Sequence, residues 1–216
     1  MTSGDDIAAY GEAVRQRLDA AHAARETAIS ASRRTIRACA SSIRAVHHLD
    51  PALAEELADE AARTLREAQT ALRPFPALAA SGPLHDAEKE YAEARLTAAL
   101  TAGTGLPTFE DLDVGPSAWL GGLAEAATEL RRHILDRLRG GDIATADRLL
   151  GVMDDVYALL FSLDYPDAVS GGLRRQVDAL RAVLERTRGD LTTAVLQTRL
   201  QAAIDAQLGS ALPAVD

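Results

Sequence analysis

The sequence has little of what secreted, membrane-embedded and thiol-dependent proteins rely on. Cysteine occurs once, at Cys39, so the chain cannot form an intrachain disulfide and nothing ties it to an oxidising compartment. No apolar run is long enough to cross a bilayer, and residues 1–6 are polar and acidic, unlike a signal peptide. We therefore expect a cytoplasmic protein.

Aromatic residues are also scarce, and this limits the fold. They make up 4% of the chain, whereas 47% of its residues are hydrophobic, and alanine, leucine, arginine and glutamate dominate. This balance favours helices and lacks the usual residues of strands, and no segment shows strand-like alternation. The 216 residues can bury one substantial core, and no linker is long enough to mark a boundary. We predict an all-α fold with one domain over residues 1–216.

Several catalytic signatures are absent. The sequence contains no Gly-x-x-x-x-Gly-Lys phosphate loop, no His-Glu-x-x-His zinc motif and no nucleophile-elbow serine. Cys39 falls on an apolar helical seam with Ile36 and Ile43, which is typical of a core position rather than of a nucleophile. These absences leave charged side chains as the source of any chemistry.

Helical periodicity and punctuation predict a series of helices. The first runs from about residue 5 to 48, either continuous or broken near its middle. Asp50 and Pro51 then supply an N-cap and a first helical position for a second helix that ends near Leu72. The remaining segments are predicted at about residues 84–100, 116–139, 143–163 and 173–208.

A row of basic residues follows the first predicted helix. Arg33, Arg37 and Arg44 recur at helical spacing, and His47 and His48 continue the row. The formal net charge of -9 argues against nucleic acid as a ligand, but a local basic surface can coexist with an acidic exterior. The row is either such a surface or an ordinary solvated face.

Acidic residues recur at helical spacing on two other predicted helices. Glu90 and Glu93 share one helix face, and Glu125 and Glu129 share another. If the two helices pack side by side, they gather four carboxylates in one place. Clustered carboxylates repel one another unless a cation lies among them, and hard oxygen ligands select Mg²⁺ or Mn²⁺.

Local ion pairs are the alternative explanation for these acids. Lys89 can pair with Glu93 four residues on, as an exposed ion pair of little energetic weight. Glu129 can likewise pair with Arg132 or His133. Glu125, in contrast, has no basic residue within four positions, in an otherwise apolar stretch, and is expensive to bury unless a metal ion or arginine compensates it.

Three stretches together resemble the translin family. The first comprises residues 25–37, RETAISASRRTIR, and 42–47, SIRAVH; the second comprises residues 119–130, WLGGLAEAATEL, and 141–142. The third comprises residues 164–168, DYPDA, 172–175, GLRR, and 186–191, RTRGDL. The resemblance spans about residues 25–191 and is strongest with prokaryotic, especially archaeal, members.

The acidic motif is similar to that of translin-associated factor X, the catalytic branch of the family. Residues 90–94, EYAEA, match its Glu-Tyr-x-Glu-Ala, in which both glutamates are catalytic. Glu129 matches a third catalytic acid, and Glu125 stands where factor X has aspartate. The resemblance implies that Glu90, Glu93, Glu125 and Glu129 are the catalytic and metal-binding residues.

The resemblance also implies an assembly and a ligand. Family members are all-α, with about seven helices, and form octameric barrels that enclose single-stranded RNA or DNA. An arginine-bearing lumen inside an acidic exterior reconciles the net charge with such a ligand. By similarity in region, the candidates for the lumen are Arg33, Arg37, Arg44 and His85.

The resulting hypothesis is a homo-oligomeric endoribonuclease that cleaves single-stranded RNA with Mg²⁺ or Mn²⁺. Two alternatives come from different classes. One is a non-catalytic binder of single-stranded RNA or DNA, in which the acids are structural. The other is a structural helical oligomer, in which Arg33, Arg37 and Arg44 form ion pairs between subunits.

Overall fold

The structure is a computed structural model that describes residues 4–79 and 82–211, except for the side chains of residues 208–211. Within these residues all regular secondary structure is helical, which confirms the all-α prediction. Six helices are long and two are single turns. They are α1 (Gly4–His47), α2 (Pro51–Leu72), α3 (Pro76–Ala79), α4 (Pro83–Ala102), α5 (Pro116–Arg139), α6 (Ile143–Phe161), α7 (Asp167–Ser170) and α8 (Leu173–Ala211).

Local signals set the helix ends where the sequence predicts them. The carboxylate of Asp50 accepts a hydrogen bond from the backbone N–H of Leu53, and Asp142 caps α6 in the same way through Thr145. Gly103 ends α4 in the left-handed conformation, at a φ of 70°. The first helix is continuous over 44 residues, which settles the choice left open by its sequence.

The core is centred on α4, which packs against both α1 and α5. Helix α2 packs on α1 and α4, and helices α6 and α8 pack on α5 and on each other. Its largest fully buried side chains include Leu96 of α4 and Leu123, Leu130 and Ile134 of α5. The α4–α5 contact is built largely from small residues, which bring the two backbones close together. This close approach is what places the acidic faces of the two helices against each other.

Two helices extend beyond this core. From residue 4 to residue 20 every side chain of α1 is exposed, and so is α8 from residue 196 to residue 207. Both segments carry large apolar side chains at helical spacing: Ile7, Tyr10, Val14 and Leu18 on α1, and Leu196, Leu200 and Ile204 on α8. No helix within residues 4–79 and 82–211 has both the length and the apolar character needed to span a membrane.

Candidate metal centre

Three of the predicted acids converge between α4 and α5. One carboxylate oxygen from each of Glu90, Glu93 and Glu125 lies within 4.8 Å of the others. The first two come from successive turns of α4 and the third from the facing turn of α5, as the helical spacing predicts. We call these three residues the acid cluster. Its oxygen-only donor set suits a hard divalent cation.

Glu93 is the buried member of the acid cluster. It is 8% exposed, and within the part of the chain that the structure describes no group donates a hydrogen bond to its carboxylate. Burial, followed by the negative charges of Glu125, Glu90 and Glu129, raises its pKa to about 8. A buried carboxylate surrounded by other carboxylates is costly, and a bound cation would remove that cost.

Lys89 compensates the negative charge of the other two members of the acid cluster, Glu90 and Glu125. Its ammonium donates to both carboxylate oxygens of Glu125 at 2.6 Å, and it lies 3.3 Å from Glu90 Oε1. Burial opposes the charged form, but the hydrogen bond and charge of Glu125, followed by those of Glu90, raise the pKa of Lys89. The lysine therefore pairs across the two helices rather than with Glu93 along its own.

Glu129 is held one turn further along α5 by a histidine pair. His47 Nε2 lies 2.6 Å from Glu129 Oε2, and His47 Nδ1 lies 3.1 Å from His133 Nε2. The hydrogen bond from His47 lowers the pKa of Glu129, while burial, followed by the charge of His47, lowers the pKa of His133 to about 4. His47 Nε2 donates to the Glu129 carboxylate, and the protons on the two rings decide which histidine donates in the His47–His133 hydrogen bond.

The histidine pair gives a testable stability effect. Replacing His47 with alanine leaves both the half-buried Glu129 carboxylate and the buried His133 without their partner, so we expect a loss of about 1–3 kcal/mol in the free energy of unfolding. Urea denaturation at a fixed protomer concentration measures it. Replacing the neighbouring, exposed His48 with alanine is the matched control and should stay within about 0.5 kcal/mol. Equal losses in the two variants would contradict this role of His47.

The raised pKa of Glu93 predicts a pH dependence of stability in EDTA. Its pKa is about 8 in the folded chain against an ordinary value of 4.5, so the folded state binds the extra proton and stability falls as the pH rises between these values. His133 acts in the opposite sense, because its pKa is lowered from 6.5 to about 4 and its contribution grows as the pH rises to 6.5. Of these two groups, only Glu93 still affects stability between pH 6.5 and pH 8.

We therefore expect the melting temperature of the metal-free chain to fall between pH 6.5 and pH 8. Excess Mg²⁺ should flatten this fall, because a cation among the carboxylates stabilises their ionised forms. Thermal unfolding followed by circular dichroism in EDTA and in Mg²⁺ makes the comparison. A melting temperature that rises over this interval in EDTA would contradict the environment described for Glu93.

The predicted basic residues lie outside the acid cluster. Arg33, Arg37 and Arg44 are exposed on one face of α1, and no ion pair involves them among the residues that the structure describes. His47 projects from the flank of that face, about one sixth of a turn from the arginine row, so the row borders the side of α1 that meets Glu129. His85 is half-buried on α4, one turn before Lys89, with its ring against Gly171. That these four residues line a lumen remains a prediction.

Cys39 lies beneath the acid cluster. Its thiol is fully buried, and burial together with the charges of Glu90 and Glu93 raises its pKa far above its ordinary value. It is a core residue, and its environment disfavours the thiolate that a nucleophilic cysteine requires.

The sequence does not reveal the two basic partners of the acids. Its spacing offers a local pair of Lys89 with Glu93 as one alternative, and it groups His47 with the basic row, whereas the structure pairs Lys89 with Glu125 and His47 with Glu129. Glu125 could have indicated such a partner, because a carboxylate on an apolar helix without a basic residue nearby in sequence requires a cationic partner from elsewhere. The partner of Glu129 is 82 residues away in the chain, so helical spacing alone cannot reveal it.

The chain is similar to known proteins over most of its length. No family model matches the chain. It is 30% identical over 182 residues to the uncharacterized protein MJ0175 of Methanocaldococcus jannaschii, covering 82% of this chain and 79% of that protein. The solved structure of AfC3PO in complex with duplex RNA is 34% identical, with a TM-score of 0.79, and the alignment covers 86% of this chain and 96% of that one.

A crystal structure of AfC3PO gives the same agreement, covering 86% of this chain and 97% of that one at 34% identity and a TM-score of 0.79. The apo-NeC3PO structure has a TM-score of 0.75 at 18% identity, covering 85% of this chain and 96% of its own, and it supports the fold alone. The fold and the sequence of AfC3PO agree with those of this chain over 86% of its length. The chain therefore belongs to the translin family, together with C3PO.

Proposed function

We propose that the chain is a metal-dependent endoribonuclease that cleaves RNA within a homo-oligomeric assembly. The observation that carries this proposal is the burial of Glu93 among Glu90 and Glu125. A purely structural carboxylate at this position would be expected to find a hydrogen-bond donor, and Glu93 has none in the described part of the chain. An acid kept in so unfavourable an environment is typical of a functional site.

The acid cluster fits a divalent cation by its donor set and by its charge. Glu90, Glu93 and Glu125 would hold Mg²⁺ or Mn²⁺, and Glu129, one turn from Glu125, would complete the set of four acids. When bound, such an ion lowers the pKa of a coordinated water and neutralises negative charge on a phosphodiester. The histidine pair keeps Glu129 ionised and fixed in orientation, which a ligand or a general base requires.

The basic row on α1 supplies the binding surface in this proposal. AfC3PO, which is 34% identical to this chain, was solved with duplex RNA, so RNA is the ligand class that we propose here. Arg33, Arg37 and Arg44 are free to contact phosphates, because no described acidic residue pairs with them. Such contacts position a strand without reading its sequence, so the proposed substrate class is RNA of any sequence.

Neutralising the basic row tests this surface. In an Arg33→Gln, Arg37→Gln, Arg44→Gln variant, we expect RNA affinity at low salt to fall by about tenfold or more. Three lost phosphate contacts should also reduce the slope of log K against log salt by about 2. Fluorescence anisotropy over a salt series measures both quantities. The matched control replaces three exposed arginines, Arg63 and Arg66 on α2 and Arg73 directly after it, and should bind like the native chain. Equal losses of RNA affinity in the two triple variants would show that the basic row is not part of the RNA-binding surface.

The exposed ends of α1 and α8 support self-assembly in this proposal. Their apolar side chains at helical spacing form stripes that one protomer leaves uncovered, and such stripes favour helix–helix packing with another copy. Assembly into a closed barrel, with eight subunits as the family resemblance implies, would enclose the bound strand.

Cleavage of a labelled RNA tests the proposal directly. The full-length chain is incubated with single-stranded or duplex RNA in Mg²⁺, Mn²⁺ or EDTA, beside a Glu93→Ala, Glu125→Ala variant whose fold is verified by circular dichroism. We expect internal cuts in single-stranded RNA that require metal and disappear in the variant. Retained cleavage in the variant would overturn the assignment of the acids. Cleavage of the duplex alone would correct the proposed substrate.

A non-catalytic RNA-binding protein is the second candidate, and one observation favours it. Lys89 neutralises Glu125 and Glu90 without a metal ion, so two of the three acids are already compensated within the chain. RNA that binds tightly but stays intact in both metals would establish this second function.

A further inference from the structure

The single lysine of the chain lies at the acid cluster. Lys89 is the only lysine among the 23 lysine and arginine residues, and its ammonium contacts Glu125 at 2.6 Å and Glu90 at 3.3 Å. The chain uses arginine for every other fixed positive charge. An ammonium differs from a guanidinium in being a compact point charge that holds ligands without a fixed planar geometry.

The structure provides a specific place for this side chain. Lys89 is held between α4 and α5 with a side chain that is only 19% exposed. A Cβ at Gly121 would lie 3.2 Å from both Cγ and Cδ of Lys89, which is tighter than most real contacts, so glycine at this position leaves the room that the lysine stem occupies. The ammonium therefore reaches the acids along a defined route.

The ammonium and a divalent cation need the same oxygens. Glu90 and Glu125 belong to the acid cluster, and both are contacted by Lys89. Both oxygens of Glu125 accept from the ammonium, so a cation on either oxygen would share it with Lys89. A divalent ion on these oxygens would lie next to the ammonium, and two cations at that distance repel each other strongly in a half-buried site.

We infer that Lys89 is the exchangeable counter-cation of the acid cluster. It occupies Glu125 and Glu90 in the metal-free chain, and its ammonium leaves them when a divalent cation binds. Lys89 thereby weakens metal affinity while keeping the cluster stable without metal. This inference rests on the proposed function in one respect, namely that the same carboxylates take a divalent cation.

Metal affinity in a lysine variant provides the first test. Binding of Mn²⁺ to the full-length chain is measured by the loss of the free-ion electron paramagnetic resonance signal. We expect Lys89→Met to bind Mn²⁺ about tenfold more tightly than the native chain, because its competitor is gone and the cluster has gained net negative charge. Arg95→Met removes a charge from the same helix, where Arg95 pairs with Glu55 away from the cluster, and should leave the affinity unchanged. Equal or weaker binding by Lys89→Met would overturn the inference.

The native chain provides a second test that does not depend on the folding of a variant. In protein labelled with ¹⁵N-lysine, the only side-chain ammonium resonance belongs to Lys89. We expect a position characteristic of an ion-paired ammonium in EDTA and a shift toward that of free lysine on saturation with Mg²⁺. A resonance that remains at its ion-paired position at saturation would show that the lysine stays on Glu125, and would overturn the inference.

These measurements separate the inference from the proposed ribonuclease. If Lys89→Met binds Mn²⁺ more tightly but the native protein cuts no RNA, Lys89 is the counter-cation and the proposed ribonuclease activity is wrong. The absence of Mn²⁺ binding to the native chain and to Lys89→Met would overturn both.

Discussion

Replacing Glu93 with glutamine is expected to give a chain that is more stable at pH 8 and inactive on RNA. Glutamine keeps the shape of the side chain and removes a buried charge that three neighbouring carboxylates repel. We expect a gain of about 1–2 kcal/mol in the free energy of unfolding in EDTA. We also expect a fall of about 10³-fold in metal-dependent cleavage, because the buried ligand of the cation is lost.

Two readouts on one variant make this prediction specific. Urea unfolding in EDTA gives the stability, and initial cleavage rates at saturating Mg²⁺ give the activity. Glu185→Gln is the control, because Glu185 is 63% exposed on α8 and its loss should change neither quantity. If Glu93→Gln is destabilised and remains active, Glu93 is a structural acid and the cation site must lie elsewhere.

The opposing effects follow from where the chain places its charges. Glu93 is buried in the α4–α5 contact beside two other carboxylates, so burial and charge repulsion together make its ionised form unfavourable to folding. Functional sites often retain such destabilising groups, since the energy lost in the free protein is recovered when the ligand binds. A bound divalent cation would serve this purpose here.

The sequence predicted the six long helices and the acidic faces because both depend on local spacing, and it did not predict the single-turn helices α3 and α7. Pro51 and Asp50 define the start of α2, and Gly103 defines the end of α4, through backbone conformations that these residue types favour. Glu90 and Glu93 share a face for the same local reason. The periodicity of α4 and α5 was therefore enough to predict a meeting of acids, although it could not give the distance between them.

The basic partners could not be predicted because they depend on how the helices pack. Lys89 has two acids within reach along its own helix and a third across the contact, and only the packing of α4 against α5 selects Glu125. His47 occupies the flank of α1, between the exposed arginine row and the buried face. Spacing along the sequence cannot show whether a side chain at such a flank position faces solvent or contacts another helix.

The second large effect is expected from adding a methyl group at Gly122. A Cβ at this position would lie 2.7 Å from Ala92 Cβ, 2.7 Å from the backbone nitrogen of Glu93 and 2.8 Å from the backbone oxygen of Lys89. Two of these atoms belong to the α4 backbone, so no side-chain rotation relieves the contact. In Gly122→Ala the two helices must move apart, at a net cost of about 1–3 kcal/mol after the gain in helix propensity.

The same displacement should disable the metal centre. Glu90 and Glu93 belong to α4 and Glu125 to α5, so separation of the helices moves the two parts of the acid cluster away from each other. We expect Mn²⁺ binding to weaken by about tenfold and cleavage to fall by about 10²-fold, as for small displacements of reacting groups. Mn²⁺ titration and cleavage assays below the melting temperature of the variant separate this effect from unfolding.

Two other glycines serve as controls for the Gly122 substitution. Gly151 on α6 has open space around its added Cβ, so Gly151→Ala should stabilise the chain by about 0.5–1 kcal/mol and leave Mn²⁺ binding unchanged. At Gly121 the nearest atoms belong to the flexible side chains of Gln176 and Lys89, which can shift. The effects of Gly121→Ala on stability and on Mn²⁺ binding should therefore lie between those of Gly151→Ala and Gly122→Ala. If Gly122→Ala binds Mn²⁺ as tightly as Gly151→Ala, cation binding does not depend on the close approach of α4 and α5, and the prediction is wrong. A loss of Mn²⁺ affinity that increases from Gly151→Ala through Gly121→Ala to Gly122→Ala would instead show that the close approach of α4 and α5 assembles the cation site.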